Sequence, residues 1–126
     1  MVVAVTQVGV APKNFRSDGV LVQDAKPVEI LGIGENSLVR FLTDTLYRPE
    51  LNLRHGTALA ALTLQAAKTY CPQYCNGETD ISCAPKGKEY CYDVSKEEII
   101  DMEDIMKLSV RNRLDEALQQ ATDFLK

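Results

Sequence analysis

The sequence has little concentrated positive charge. Its 14 lysine and arginine residues are outnumbered by 18 aspartate and glutamate residues, which gives a formal net charge of −4. No basic run extends beyond a couple of residues. Proteins that bind nucleic acid need clustered lysine and arginine to displace the counterions of the phosphate backbone. We therefore expect no nucleic-acid partner.

Long apolar runs are also missing. Residues 1–15 have neither the basic leader nor the long apolar core of a secretory signal. No stretch approaches the roughly 20 apolar residues that a membrane-spanning helix needs. We therefore expect a cytoplasmic protein with no membrane partner. Its cysteines should stay reduced, because disulfides are rare in that compartment.

The sequence offers few groups for catalysis or ligand binding. His55 is the only histidine, and no neighbouring nucleophile accompanies it, which favours a plain polar residue at a helix start. Gly32-Ile33-Gly34 lacks the third glycine of a dinucleotide loop, which favours a simple turn. The acidic residues 97–104 are interpreted as solvated helix surface. We expect no catalytic, cofactor-binding or metal-binding residues in this chain.

The four cysteines are spaced too widely for a typical structural zinc site. They are Cys71, Cys75, Cys83 and Cys91, a C-x3-C-x7-C-x7-C pattern. Zinc sites usually combine two tight C-x2-C pairs. Free structural thiols are the favoured interpretation. One or two disulfides and a metal site are the alternatives, since the last two cysteines should lie near one another across a hairpin.

Periodicity predicts strands first and helices afterwards. Residues 2–10 alternate and are rich in β-branched side chains, and shorter strands are predicted at 20–22 and 27–31. These form a β-meander or a pair of hairpins. A first helix is predicted at 38–47, and Pro49 ends it.

A second helix is rich in alanine, so that another helix can approach it closely. One face of it is predicted to contain Leu59, Leu62, Ala66 and Tyr70. A hairpin is predicted from residues 79–84 and 89–94. Ser95 and Glu98 then form a capping box for a long amphipathic helix, or for two helices with a bend at 109–112. Its apolar face comprises Ile99, Met102, Met106, Val110, Leu114, Leu118, Ala121 and Leu125.

This order of elements predicts an α+β fold in a single domain of residues 1–126. Strands followed by helices indicate a layered architecture with a mainly antiparallel sheet, two central helices and a C-terminal helix.

Short motifs in this order resemble the C-terminal part of a proteasome-type N-terminal nucleophile (Ntn) hydrolase subunit. Ile33-Gly34-Glu35 looks like the turn that follows a strand in that family, and residues 57–70 look like its alanine-rich helix. NGETDI at 76–81 and SKEEII at 95–100 are similar to the start of its hairpin and of its last helix. The resemblance implies an incomplete Ntn-hydrolase sandwich, the C-terminal portion of a larger subunit.

The catalytic residues of that family have no clear counterpart here. The family uses an N-terminal threonine helped by a lysine from the first half of the domain, whereas this chain begins Met-Val-Val. Gln73 and Asn76 stand near the places of an acidic residue and a serine that support the nucleophile, and Glu35 near that of a turn serine. The resemblance therefore implies a proteasome-like subunit or fragment that is non-catalytic by itself.

An incomplete sandwich would expose apolar sheet surface and open strand edges. We therefore expect an oligomer, formed with the chain itself or a related chain and packed through the strands of residues 2–31. Two alternatives stay open. The chain could belong to a threonine-type peptidase with catalytic residues on another chain or segment, or it could be an unrelated α+β interaction module.

Overall fold

The computed structural model describes residues 2–5, 15–17, 22–24, 28–31, 37–73 and 75–125. The described part of the chain is α+β and mostly helical, which confirms the predicted class. Its elements are β1 (Val2–Val5), β2 (Phe15–Ser17), β3 (Val22–Asp24), β4 (Val28–Leu31), α1 (Ser37–Leu46), α2 (Leu53–Tyr70), β5 (Ser82–Cys83), β6 (Tyr92–Asp93) and α3 (Lys96–Phe124).

The described strands are antiparallel but do not form one layered sheet. They form three separate two-stranded ladders, β1 with β4, β2 with β3, and β5 with β6. In the first ladder Val2 lies opposite Leu31 and Val5 opposite Val28. Strands β2 and β3, which come between β1 and β4 in the sequence, pair with each other. The pairing is thus nested and is not a meander. The predicted turn at Gly32-Ile33-Gly34 and residues 6–10 of the first predicted strand lie outside the described residues.

Helices α1 and α2 occur where the sequence predicts them. Asn52 caps α2, because its side-chain oxygen accepts a hydrogen bond from the backbone N–H of His55 at 3.0 Å. Leu59 and Ala66 are buried on the predicted face and Leu62 is half-buried, but Tyr70 is exposed. One core cluster consists of Val39, Leu51, Leu59, Ala66, Ala67 and Cys75, with Val5 of β1 packed against it.

Helix α3 packs closely against the alanine-rich surface of α2. Ala61 is fully buried in a second core cluster with Ile81, Cys83 and Ile99, and Met102 and Met106 pack at its edge. The capping box of Ser95 and Glu98 is present at the start of α3. This helix continues for 29 residues, so the alternative of two helices is wrong. The predicted hairpin is confirmed, although β5 and β6 have only two residues each.

None of the helices in this described part of the chain has the length and apolar character needed to cross a bilayer.

The substitution Ala61→Leu should destabilise the fold, because Ala61 is fully buried where α2 packs against α3. Overpacking of this kind costs about 1–3 kcal/mol of unfolding free energy, measurable by urea denaturation. Ala60→Leu is the matched control, since Ala60 is only half-buried on the same helix. An equal loss in both variants would contradict close helix packing at Ala61.

Candidate functional site

His55 lies on the first turn of α2, exposed to solvent. Its backbone N–H donates to the capping Asn52, and it stands at a helix start as the sequence predicts. Only the backbone of His55 takes part in this cap, and the described residues assign no chemical role to its imidazole.

No disulfide joins the four cysteines, all of which lie in the described part of the chain. Cys75 and Cys83 are buried, whereas Cys91 is exposed. Cys83 lies 3.3 Å from the hydroxyl of Thr57, and across the hairpin its direct partner is Tyr92 rather than Cys91. Among the described residues, no three histidine, cysteine or acidic side chains converge in a way that could hold a metal ion. Cys83 therefore serves packing in the core, whereas Cys91 lies at the surface.

The densest polar cluster joins α2, the loop before β5, and α3. One oxygen of Glu103 accepts a hydrogen bond from the ammonium of Lys68 at 2.9 Å and from the hydroxyl of Thr79 at 2.6 Å. Only 17% of the Lys68 side chain and 13% of the Glu103 side chain are exposed. We call Lys68, Thr79 and Glu103 the polar joint, because they come from three separate segments.

The electrostatics of the polar joint favour a charged Glu103. Burial raises the pKa of its carboxyl, but the hydrogen bond from Thr79 and the ion pair with Lys68 lower the pKa by more. The net pKa is therefore below the usual value for glutamate. The sequence prediction that residues 97–104 are solvated surface is wrong at this position, because Glu103 points towards α2 and is half-buried.

Lys96 adds a second, more exposed arm beside the polar joint. Its ammonium donates to the backbone carbonyl of Thr79 at 3.1 Å and pairs with Asp80 at 2.5 Å and Glu78 at 3.4 Å. The hydrogen bond to Asp80 raises the pKa of Lys96, and partial desolvation opposes that rise. These contacts fasten the start of α3 to the loop before β5.

A cleft of about 170 Å³ lies between these groups. Small-molecule sites usually occupy about 300–1,000 Å³. Both lysines that line the cleft already pair with carboxylates, so neither is left to attract a ligand. The geometry therefore supports a structural joint better than a ligand site.

The polar joint contains a threonine and a lysine, the residue types of a threonine peptidase, but not in a catalytic arrangement. Thr79 is 6% exposed, and its hydroxyl donates its proton to a carboxylate. The ammonium of Lys68 is engaged by the same carboxylate. A substrate would find neither a free nucleophile nor a free base here.

The second candidate site is a surface, formed by residues 107–124, which we call the outer half of α3. Ile99 and Met106 pack the inner half of this helix against the core. From Lys107 onwards every residue through Leu125 is exposed. At 1.5 Å per residue, the outer half is about 27 Å long.

The outer half of α3 exposes large apolar side chains. Leu114 is 61%, Leu118 is 68% and Phe124 is 88% exposed. Val110, Leu114, Ala117, Ala121 and Phe124 follow one another at steps of four and three residues and so share one face. The same face is buried against the core in the inner half. The apolar face predicted from the sequence shares Val110, Leu114 and Ala121 with this one but continued through Leu118 and Leu125. The sequence could not show that only the inner half of the helix is covered.

Comparison with protein-family models, curated proteins and solved structures gives no match to this chain.

Glu103→Gln should lower the free energy of unfolding at pH 7 by about 1–3 kcal/mol, since it removes a charge that holds two hydrogen bonds in a half-buried place. Urea denaturation measures this loss. Glu116→Gln on the same helix is the control, because its pair with Arg113 is exposed and should be worth less than about 0.5 kcal/mol.

The effect of Glu103→Gln should also depend on pH. Because the folded-state pKa of Glu103 is lowered, its stabilisation is complete above the unfolded pKa of about 4.3 and is lost as pH falls through the folded pKa. The stability difference between the two proteins should therefore be constant from pH 6 to 8 and shrink below about pH 4. A difference that grows on acidification would contradict the assignment.

Proposed function

We propose that this chain is a non-catalytic subunit of a homo-oligomeric assembly, and that the outer half of α3 is the surface through which it assembles. The observation that carries the proposal is the apolar face of this helix, which continues past the core with its side chains exposed. Burial of such side chains is the main driving force for protein association.

The exposed apolar side chains of this helix form a contiguous patch and are not scattered over the surface. Single exposed leucines are common in soluble proteins, but contiguous apolar patches mark interaction sites. Here Val110, Leu114 and Leu118 follow one another on adjacent turns, and Phe124 and Leu125 end the row. A helix that offers anchors at such spacing fits a helix–helix contact.

Rigid attachment of the helix also supports an assembly role. The polar joint and the packing of Ile99 and Met106 fix the inner half of α3 to the rest of the domain. The outer half is then presented in a defined direction. A surface that is held in place before binding loses less conformational entropy when it binds.

The relationship to proteasome-type Ntn hydrolases is the finer part of this proposal. Its support is the element order, in which β4, α1, α2, the β5–β6 hairpin and α3 follow one another as in that family's C-terminal half. The sequence predicted an oligomer packed through the strands of residues 2–31. That surface stays a prediction, because Val5 is the only residue of these strands whose side chain the structure describes.

Light scattering after size-exclusion chromatography tests the assembly role. The wild-type chain should form oligomers at micromolar concentration. The double variant Val110→Glu with Leu114→Glu should weaken association at least about 100-fold, because each lost apolar burial is worth about 1.5–3 kcal/mol. Circular dichroism should show that the variant keeps its helices.

The matched control is Asn112→Glu with Gln119→Glu, which adds the same charge on the opposite face of the outer half. This control should associate like the wild type. A monomeric wild type, or an oligomer that survives Val110→Glu with Leu114→Glu, would overturn the proposal.

Non-catalytic behaviour can be checked separately with fluorogenic peptides. We expect no hydrolysis above the buffer rate for the wild type or for Thr79→Val, because the Thr79 hydroxyl is buried and donates to Glu103. Hydrolysis by the wild type that disappears in Thr79→Val would instead assign a threonine peptidase to this chain.

A further inference from the structure

We propose that Asn76 is a site of spontaneous deamidation and isoaspartate formation, with solvent water as the co-reactant. Asn76 and Gly77 lie in the loop between α2 and β5, at the start of the segment that leads to the polar joint. The conversion does not require the oligomer of the proposed function. It changes the covalent backbone next to the contacts that attach α3 to the domain.

The reaction needs only these two residues and water. The backbone nitrogen of Gly77 loses its proton to hydroxide and forms a bond to Cγ of Asn76. The Cγ–Nδ2 bond breaks and ammonia leaves with a proton from water, so that a five-membered succinimide ring remains. Water then opens the ring at one of its two carbonyl carbons. Opening at Cγ gives aspartate, and opening at the former backbone carbonyl gives isoaspartate.

Gly77 leaves the attacking nitrogen accessible. It has no Cβ beside that nitrogen, and outside the adjoining residues no atom lies within 4 Å of the place where a Cβ would be. Its φ of +86° is a conformation that most other residues adopt only at a cost. No described residue accepts a hydrogen bond from the Gly77 N–H. The described part of the loop therefore does not hold this nitrogen in a backbone hydrogen bond.

The side-chain amide of Asn76 is open to water. Asn76 and Gly77 are both exposed, so water can reach the amide and the succinimide. The leaving nitrogen, Nδ2, donates one hydrogen bond, to the backbone carbonyl of Pro72 at 3.1 Å. Because this hydrogen bond is exposed, water competes with it. The contact with Pro72 therefore holds the amide only weakly.

The other asparagines that the structure describes lie in more protected surroundings. Asn112 is exposed too, but it lies inside α3, where the backbone N–H groups donate to helical carbonyls, and the bulky Arg113 follows it. The side-chain oxygen of Asn52 caps α2, and a leucine follows it. In the whole sequence, Asn76 is the only asparagine that precedes a glycine. Local chemistry and local structure therefore select the same residue.

The product alters a short link between two buried anchor points. Cys75 is buried in the first core cluster, Thr79 is buried in the polar joint, and three residues separate them. Isoaspartate continues the backbone through its Cβ and Cγ, which adds one atom to this link. The new carboxylate also cannot donate to the carbonyl of Pro72 when it is ionised. We therefore expect isoaspartate to weaken the hydrogen bond from Thr79 to Glu103.

Ageing of the full chain in mildly alkaline buffer tests the site. Peptide mapping by tandem mass spectrometry should locate, at residue 76, the mass gained when oxygen replaces NH. Conversion of Asn76 should be at least about tenfold faster than conversion of Asn112, which corresponds to about 1.4 kcal/mol of activation free energy. It should also be faster in alkaline than in neutral buffer, because the attacking nitrogen must lose a proton. Similar rates at the two asparagines would overturn the proposal.

The variant Gly77→Ala tests whether the accessible nitrogen is responsible. The added methyl group hinders the attack, so conversion of Asn76 should slow by about tenfold or more. Gly87→Ala is the matched control, because Gly87 also has a positive φ, of +69°, and open space around its missing Cβ, but it follows Lys86. This control should convert Asn76 at the wild-type rate. An unchanged rate in Gly77→Ala, or an equal loss in both variants, would contradict attack by the Gly77 nitrogen.

Urea denaturation of the separated products tests the effect on the polar joint. The isoaspartyl protein should unfold at a lower urea concentration than the fresh wild type. Asn76→Asp introduces the carboxylate without the extra backbone atom, so its midpoint should lie between the two. In Thr79→Val, which lacks the hydroxyl bonded to Glu103, the shift caused by isoaspartate should shrink. Equal midpoints for the isoaspartyl protein and Asn76→Asp, or an undiminished shift in Thr79→Val, would overturn the link to the polar joint.

Discussion

A single carboxylate determines how the C-terminal helix is attached to the rest of the domain. Glu103 accepts hydrogen bonds from Lys68 on α2 and from Thr79 in the loop before β5. Because these groups are half-buried or buried, removing one of them would leave the others without a partner and in poor contact with water. The polar joint therefore specifies the orientation of α3, while the apolar contacts of Ile99 and Ala61 supply the burial.

The sequence predicted the helices well but did not predict the contacts that attach α3 to the rest of the domain. Alanine content and periodicity are local properties, so α1, α2, the capping box and the C-terminal helix were predicted correctly. The inward direction of Glu103 depends on Lys68 and Thr79, which are 35 and 24 residues distant. An acidic residue in an acidic run carries no local signal of such a partner.

The pairing of the strands could not be predicted from the sequence. Alternation in the first 31 residues indicated extended, antiparallel segments, but which strand pairs with which is decided by contacts between distant residues. The sequence therefore could not show that β1 pairs with β4, with β2 and β3 between them in the sequence, nor that the described strands form two-stranded ladders. Among the residues considered for chemistry, His55 stands at a helix start, and Cys75 and Cys83 are buried in the core.

The outer half of α3 links stability to assembly. A helix of this length is only marginally stable in water by itself, and most helical stability in proteins comes from packing of an apolar face. Local support here is small, because the pair of Arg113 with Glu116 and the hydrogen bond from Gln119 to Asp123 are worth a few tenths of a kcal/mol each. The inner half supplies the nucleus, so the helix extends outwards without a new nucleation step. A second copy that covers Val110 and Leu114 would then stabilise both the helix and the pair, which makes helix stability depend on protein concentration.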